Sequence, residues 1–246
     1  MPRYFLELAY KGTHYSGFQS QENVTTIQSE VEKAFLILQK TPVIMTGSSR
    51  TDAGVHALQN FFHFDFEETI NPQFIYKMNA ILPRDIVLKS LTEVAPDAHC
   101  RFDALSREYN YYLYRGKDPF MEDRGYYFPY RIDIERLNEA AAILKEYTDF
   151  TSFSKRNTQV KTFQCHLFDS HWAASGNQLI YTVRANRFLR GMVRALVATM
   201  LKVGTGRLSL DEFRQVIELK DCTKASFASP GHGLFLVKVA FPPQLK

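Results

Sequence analysis

An α+β fold made of two loosely repeated units is predicted by three observations. Short runs rich in aromatic and aliphatic residues read as strands, and they alternate with stretches whose apolar residues recur at helical spacing. That alternation runs through the chain twice, with a seam near residues 103 to 106 and no Gly/Ser-rich linker there. The 246 residues are enough to bury one large core or two small ones. The units are read as 1–104 and 105–246, sharing one extended sheet with helices covering one sheet face.

In the first unit, Tyr4 to Tyr10 reads as a strand closed by Lys11-Gly12. Gly12 to Gly17 is a loop. Thr25-Thr-Ile-Gln28 offers a capping box, after which Ile27, Val31, Ala34, Phe35 and Leu38 share one helical face. Pro42 closes that helix, and Val43 to Met45 resumes a strand. Gly47 to Ala57 is a polar loop. Asn60 to Phe66 is then a strand with Phe62, Phe64 and Phe66 on one face and Phe61, His63 and Asp65 on the other. A helix is predicted over Pro72 to Ile81, stopped by Pro83, and a strand begins at Ile86-Val-Leu88.

In the second unit, Arg107 to Tyr114 is a strand in which Tyr109, Tyr111 and Leu113 share a face. Lys117 to Tyr130 is irregular. Asp133 caps a helix running to Tyr147, with Ile134, Leu137, Ala140, Ala141 and Leu144 inward. His166 to Trp172 and Gln178 to Arg184 form a hairpin turned at Ser175-Gly-Asn177. The longest helix is placed over Asn186 to Val203, a shorter one over Ser209 to Leu219 behind the Ser209 cap, and a last strand over Leu234 to Ala240.

Three stretches carry candidate chemistry. The loop between the Met45 and Asn60 strands holds one carboxylate (Asp52), one guanidinium (Arg50) and one imidazole (His56). Gly47 and Gly54 allow tight turns or close backbone approach there. Its chemistry admits two readings: a polar turn in which Asp52 caps backbone amides, or a catalytic carboxylate on a rigid mount. Arg187, Arg190 and Arg194 stand at i, i+3 and i+7 of the predicted long helix. They form either a solvated basic face or a phosphate-binding ridge, and Arg194 could instead point inward toward a carboxylate. Tyr109 and Tyr111 share a strand face with Arg107, as stacking platforms for unpaired bases do; core packing explains them equally well.

Other classes are excluded. Cys100, Cys165 and Cys222 are odd in number and lack metal-ligand spacing, so neither a disulfide framework nor a metal site is expected. His14, His56, His99 and His232 form no metal pair at helical or hairpin spacing. No Walker or dinucleotide glycine pattern occurs, and no Gly-x-Ser-x-Gly elbow. No apolar run approaches a membrane span. Met-Pro-Arg-Tyr-Phe lacks the architecture of a signal peptide, so a cytoplasmic protein is expected. A net charge of +4 leans toward an anionic partner.

Arg50-Thr-Asp-Ala-Gly-Val-His-Ala57 resembles the signature of the tRNA pseudouridine synthase A family. Tyr10-Lys-Gly-Thr-His-Tyr-Ser-Gly-Phe-Gln19, Thr26-Ile-Gln28, His99-Cys-Arg-Phe-Asp-Ala104 and Arg107-Glu-Tyr109 resemble further blocks of it, in order. So do Asp149-Phe-Thr-Ser-Phe153, Phe188-Leu-Arg-Gly-Met-Val-Arg194 and Gly233-Leu-Phe-Leu-Val237. The resemblance implies two ferredoxin-like halves sharing a central, mainly antiparallel sheet, with the site in the cleft between them. It implies isomerisation of uridine to pseudouridine on the 3′ side of the tRNA anticodon arm, by a homodimer, without metal or cofactor. It makes Asp52 the nucleophile, Arg194 its ion-pair partner, Tyr109 the ring that stacks on the target base, and Arg50 the group that helps hold that base out of the helix. The chain departs from the family's usual residues at Lys11 (usually Asp), Phe18 (Trp), Ser49 (Gly) and Gly191 (often His), with Ala198 near a usual Gly.

Overall fold

The computed structural model describes residues 1–68, 70–156 and 160–243. The chain is mixed α+β, with a multi-stranded, mostly antiparallel sheet and five α-helices among the described residues. It folds as two compact units: Met1–Leu105 together with the chain from Leu236 onward, and Ser106–Phe235.

The first unit runs β1 (Arg3–Tyr10), α1 (Ile27–Gln39), β2 (Thr46–Gly47), β3 (His56–Asp65), α2 (Phe74–Ile81) and β4 (Ile86–Val94). Its strands lie in the order β4-β1-β3-β2, every neighbour antiparallel. The predicted aromatic face is real: Phe62, Phe64 and Phe66 are all buried. Phe35 of α1 meets Phe64, Phe66 and Phe74 of α2 edge-on, so the helices cover that face. Two local predictions are corrected. The α1 cap is Thr26, whose side chain accepts from the Ser29 amide while Ser29 answers, one residue later than the predicted box. Val43 to Met45 is not a strand. The Met45 N–H goes to Glu32 Oε1 (3.0 Å) and its carbonyl accepts from Gln28 Nε2 (2.7 Å), so side chains of α1 take the bonds a ladder would have used.

The second unit runs β5 (Ser106–Tyr114), β6 (Tyr126–Tyr127), α3 (Ile134–Ile143), β7 (Leu167–Ser175), β8 (Gln178–Ala185), α4 (Met192–Gly204) and α5 (Leu210–Glu218). β5, β8 and β7 are successive antiparallel neighbours. The stretch expected to be irregular contains β6, which pairs with β5 in parallel. Asp133 and Ser209 cap α3 and α5 as predicted. α3 gives way after Ile143 to a 3₁₀ turn, Leu144–Glu146.

The long helix is corrected at its start: α4 begins at Met192, so Arg187 and Arg190 are not on it. Asn186 holds the preceding residues out of a helix. Its Oδ1 accepts from the His166 and Arg187 amides, and its carbonyl accepts from Arg107 Nη1. Gly191, at φ 73°, makes the left-handed turn into α4. Leu189, Met192, Val193, Leu196, Met200 and Val203 are buried, so the predicted apolar stripe stands. The last strand, β9 (Leu234–Ala240), contributes its first two residues to the second unit and the rest to the first.

Candidate active site

In the first unit the Asp52 loop is mounted on β1 and β3 by a buried polar network. Asp52 opens a β-turn closed by the Val55 N–H to the Asp52 carbonyl (3.2 Å). Gly54 sits at the turn's third position with φ 76°, a conformation that favours glycine. Just before the turn, the Thr51 hydroxyl meets the Tyr10 hydroxyl at 2.7 Å, and the Thr51 carbonyl accepts from the Phe18 N–H. Asn60 Nδ2 donates to the Ser49 carbonyl (2.9 Å) and to the Tyr10 hydroxyl (3.2 Å). Phe18 stacks on Phe62 with ring centroids 4.6 Å apart, and a Cβ on Gly47 would lie 2.2 Å from the Phe18 ring. Packing this tight fixes the loop's entry.

Ser48, Ser49 and Thr51 are buried, whereas Asp52 is half-buried and Arg50 is exposed. Anchored neighbours thus carry a half-buried carboxylate and an exposed guanidinium. His56 is set more deeply than either. It is buried at the start of β3, and its Nδ1 accepts from the Gly12 N–H (3.0 Å), tying the loop after β1 to the Asp52 loop.

In the second unit, Tyr109 lies on β5 opposite Val183, with its ring edge-to-face against Phe188 at 5.1 Å. Tyr111, two residues on, is wholly buried and donates its hydroxyl to the Pro230 carbonyl (2.9 Å); burial pushes that hydroxyl's pKa upward. Tyr111 is therefore core, and Tyr109, 8% exposed, is buried as well. Arg107 is also buried, its guanidinium on the Asn186 carbonyl, so it is not an exposed cation beside Tyr109. Arg194 stands in the first turn of α4, half-buried, and its Nε donates to the Ser229 carbonyl at 2.7 Å. The predicted ridge of three arginines does not form on α4; Arg194 alone remains there.

Sequence reasoning missed Tyr10, Asn60 and Thr51 as the supports of the Asp52 loop. The available signal was Asn60, a polar residue at the alternate positions that Phe62, Phe64 and Phe66 continue along one buried strand face. Among the described residues no group of three or more His, Cys, Asp and Glu side chains could hold a metal ion. No described helix is long and apolar enough to cross a membrane.

An anchored carboxylate turn, on a chain with the fold and motifs described, belongs to a known class. The family model described as tRNA pseudouridine synthase matches residues 8–103 and 140–242. The chain belongs to the tRNA pseudouridine synthase family, whose members are isomerases that modify tRNA. It is similar over its whole length to the tRNA pseudouridine synthase A of Parabacteroides distasonis, at 49% identity covering 98% of that protein. The enzyme of that name from Porphyromonas gingivalis is 45% identical, with 100% of this chain and 99% of that protein covered. A more distant relative, from Staphylococcus carnosus, is 37% identical over 98% of this chain and 92% of its own length.

Proposed function

We propose that this enzyme isomerises uridine to pseudouridine in the anticodon stem-loop of tRNA, with Asp52 as the nucleophile. The observation that carries this reading is the anchored Asp52 turn, which offers a half-buried carboxylate from a rigid, hydrogen-bonded base. The reaction breaks the C1′–N1 bond of uridine, turns the uracil, joins its C5 to C1′ and releases the C5 proton. A carboxylate serves it by adding to the uracil or by acting at the ribose carbon. Arg194 is the partner proposed to keep that carboxylate ionised when substrate excludes water.

The target base must leave the stack, at a cost of a few kcal/mol. Tyr109 is proposed to offset part of that by stacking on the base, and Arg50 to hold the base out of the helix. The enzyme is proposed to act in the cytoplasm as a homodimer that pools charge from two copies along one tRNA. No cofactor has a part in this chemistry.

The test is tritium release from tRNA transcripts labelled with [5-³H]uridine. Wild type should release tritium and Asp52→Ala should release none. Release by both would remove Asp52 from the mechanism and leave the class standing. Absence of release by wild type from several tRNAs would instead favour a silent RNA-binding module. Tyr109→Phe separates stacking from proton removal: it should keep tRNA binding, and it loses tritium release only if the phenol takes the C5 proton.

A further inference from the structure

The turn after β4 presents an aromatic ring to solvent in a way the Asp52 chemistry does not use. Phe102 is 74% exposed, yet the backbone carrying it is locked. The Phe102 and Asp103 amides both donate to the His99 carbonyl (3.1 and 3.0 Å), and the Arg101 amide donates to His99 Nδ1 (3.1 Å). The His99 amide in turn donates to Asp103 Oδ2 at 2.7 Å. The His99 ring is wedged between His63 and Phe102, with centroid separations of 4.4 and 4.2 Å.

His63 is buried on the β3 face opposite Phe62, Phe64 and Phe66, and its Nδ1 is 3.2 Å from Cys100 Sγ. The turn is thus bolted to the sheet face that α1 and α2 leave uncovered. Above it, the Arg101 guanidinium lies 5.7 Å from the Phe102 ring centroid, and Arg101 is itself exposed. A single exposed ring is ordinary on a protein surface; what sets Phe102 apart is the hydrogen-bonded turn that holds it beside an exposed guanidinium.

We propose that Phe102 and Arg101 form a nucleotide-binding platform that stacks one unpaired base of the substrate tRNA and contacts its flanking phosphate. The assignment rests on the tRNA reading above. An aromatic ring supplies the stacking face and the adjacent guanidinium supplies the cation, the pairing that single-stranded nucleic acid requires. At 5.7 Å the guanidinium covers the ring more loosely than a stacked base, whose atoms would approach to about 3.5–4 Å. An incoming base takes that face and the guanidinium shifts to the phosphate. His99 packs against the Phe102 ring as an uncharged support: burial lowers its pKa, and its Nδ1 is occupied as an acceptor.

The experiment compares wild type with Phe102→Ala, Phe102→Leu, Phe102→Tyr and Arg101→Ala, measuring tRNA affinity against salt together with tritium release. Phe102→Ala should weaken binding by about tenfold, within the range of one lost base–aromatic stack. Phe102→Leu should stay weak and Phe102→Tyr should recover, because stacking needs a π face and not apolar area alone. Arg101→Ala should reduce the salt slope by about 0.7–0.9, one phosphate contact, while Phe102→Ala leaves the slope unchanged. All four should keep the wild-type unfolding temperature.

Unchanged affinity in Phe102→Ala overturns the platform, and so does full recovery in Phe102→Leu. If Phe102→Ala turns a wild-type dimer into monomers in sedimentation, the ring is covered by a second copy and the nucleotide assignment fails. Wild type that releases tritium while Phe102→Ala binds normally sinks this inference alone. Wild type that neither binds tRNA nor releases tritium sinks both readings.

Discussion

Tyr10 carries more of the candidate site than its place at a strand end suggests. Its hydroxyl meets Thr51 beside the Asp52 turn and accepts from Asn60, both buried. Tyr10→Phe should destabilise the fold by about 1–3 kcal/mol, because buried polar partners are left unmet, and should lower the urea midpoint. Since the same groups set the Asp52 turn, tritium release should fall roughly tenfold or more. His63 supplies a pH signature. Burial lowers its pKa to about 4, well below the value of about 6.5 it regains on unfolding. Between those two values the unfolded chain binds the extra proton, so stability is complete above about pH 6.5 and declines as pH falls toward 4. Replacing His63 with Phe should flatten that part of the pH–stability curve, as measured by urea titrations from pH 7 to pH 4.

Helical spacing alone cannot find the start of α4. Apolar residues at Leu189, Met192, Val193 and Leu196 continue one stripe without a break, and all four are buried. Asn186 nevertheless binds the His166 amide just before β7, and Gly191 turns left-handed before the first helical residue. Tertiary partners of one side chain thus outweigh local propensity. A side chain at Gly191 would need the left-handed conformation and would press on Lys155 and Phe227 at 3.1–3.3 Å. Gly191→Ala should therefore destabilise the protein by about 1–2 kcal/mol, read as a lower thermal midpoint. The family's frequent His at this place is not accommodated by this backbone without strain. Glu32 likewise decides the stretch before β2: Glu32→Ala frees the Met45 amide, and amide exchange at Met45 should accelerate.

At the scale of the whole molecule, the last strand joins what sequence order separates. Val239 donates to Gln59, Leu105 donates to the Ala240 carbonyl, and Phe241 packs against Phe5 and Phe61. The first unit therefore depends on residues more than a hundred positions beyond its other elements. A fragment of residues 1–105 should lose native packing and hydrogen-exchange protection in β3, and adding a peptide of residues 234–243 should restore part of it. The chain leaves the first unit after Leu105 and returns to it at Leu236, and no local pattern marks that return.

What the sequence determined by itself is the kind of fold, the strand faces and the family. Period-two aromatic alternation gives β3 its buried face, cap residues start α3 and α5, and Arg50 to Ala57 marks the Asp52 loop. These follow from interactions between residues close in sequence, or from motifs read directly. The tertiary structure decided which polar residues support that loop, that the Tyr111 hydroxyl meets the Pro230 carbonyl, and where α4 begins. It also decided that Phe102 stands in water on a locked turn. Each of those depends on partners tens of residues away, such as Tyr10 with Thr51, Tyr111 with Pro230 and His63 with His99. Side-chain spacing encodes which face of an element is buried; it does not encode which distant group will meet it there.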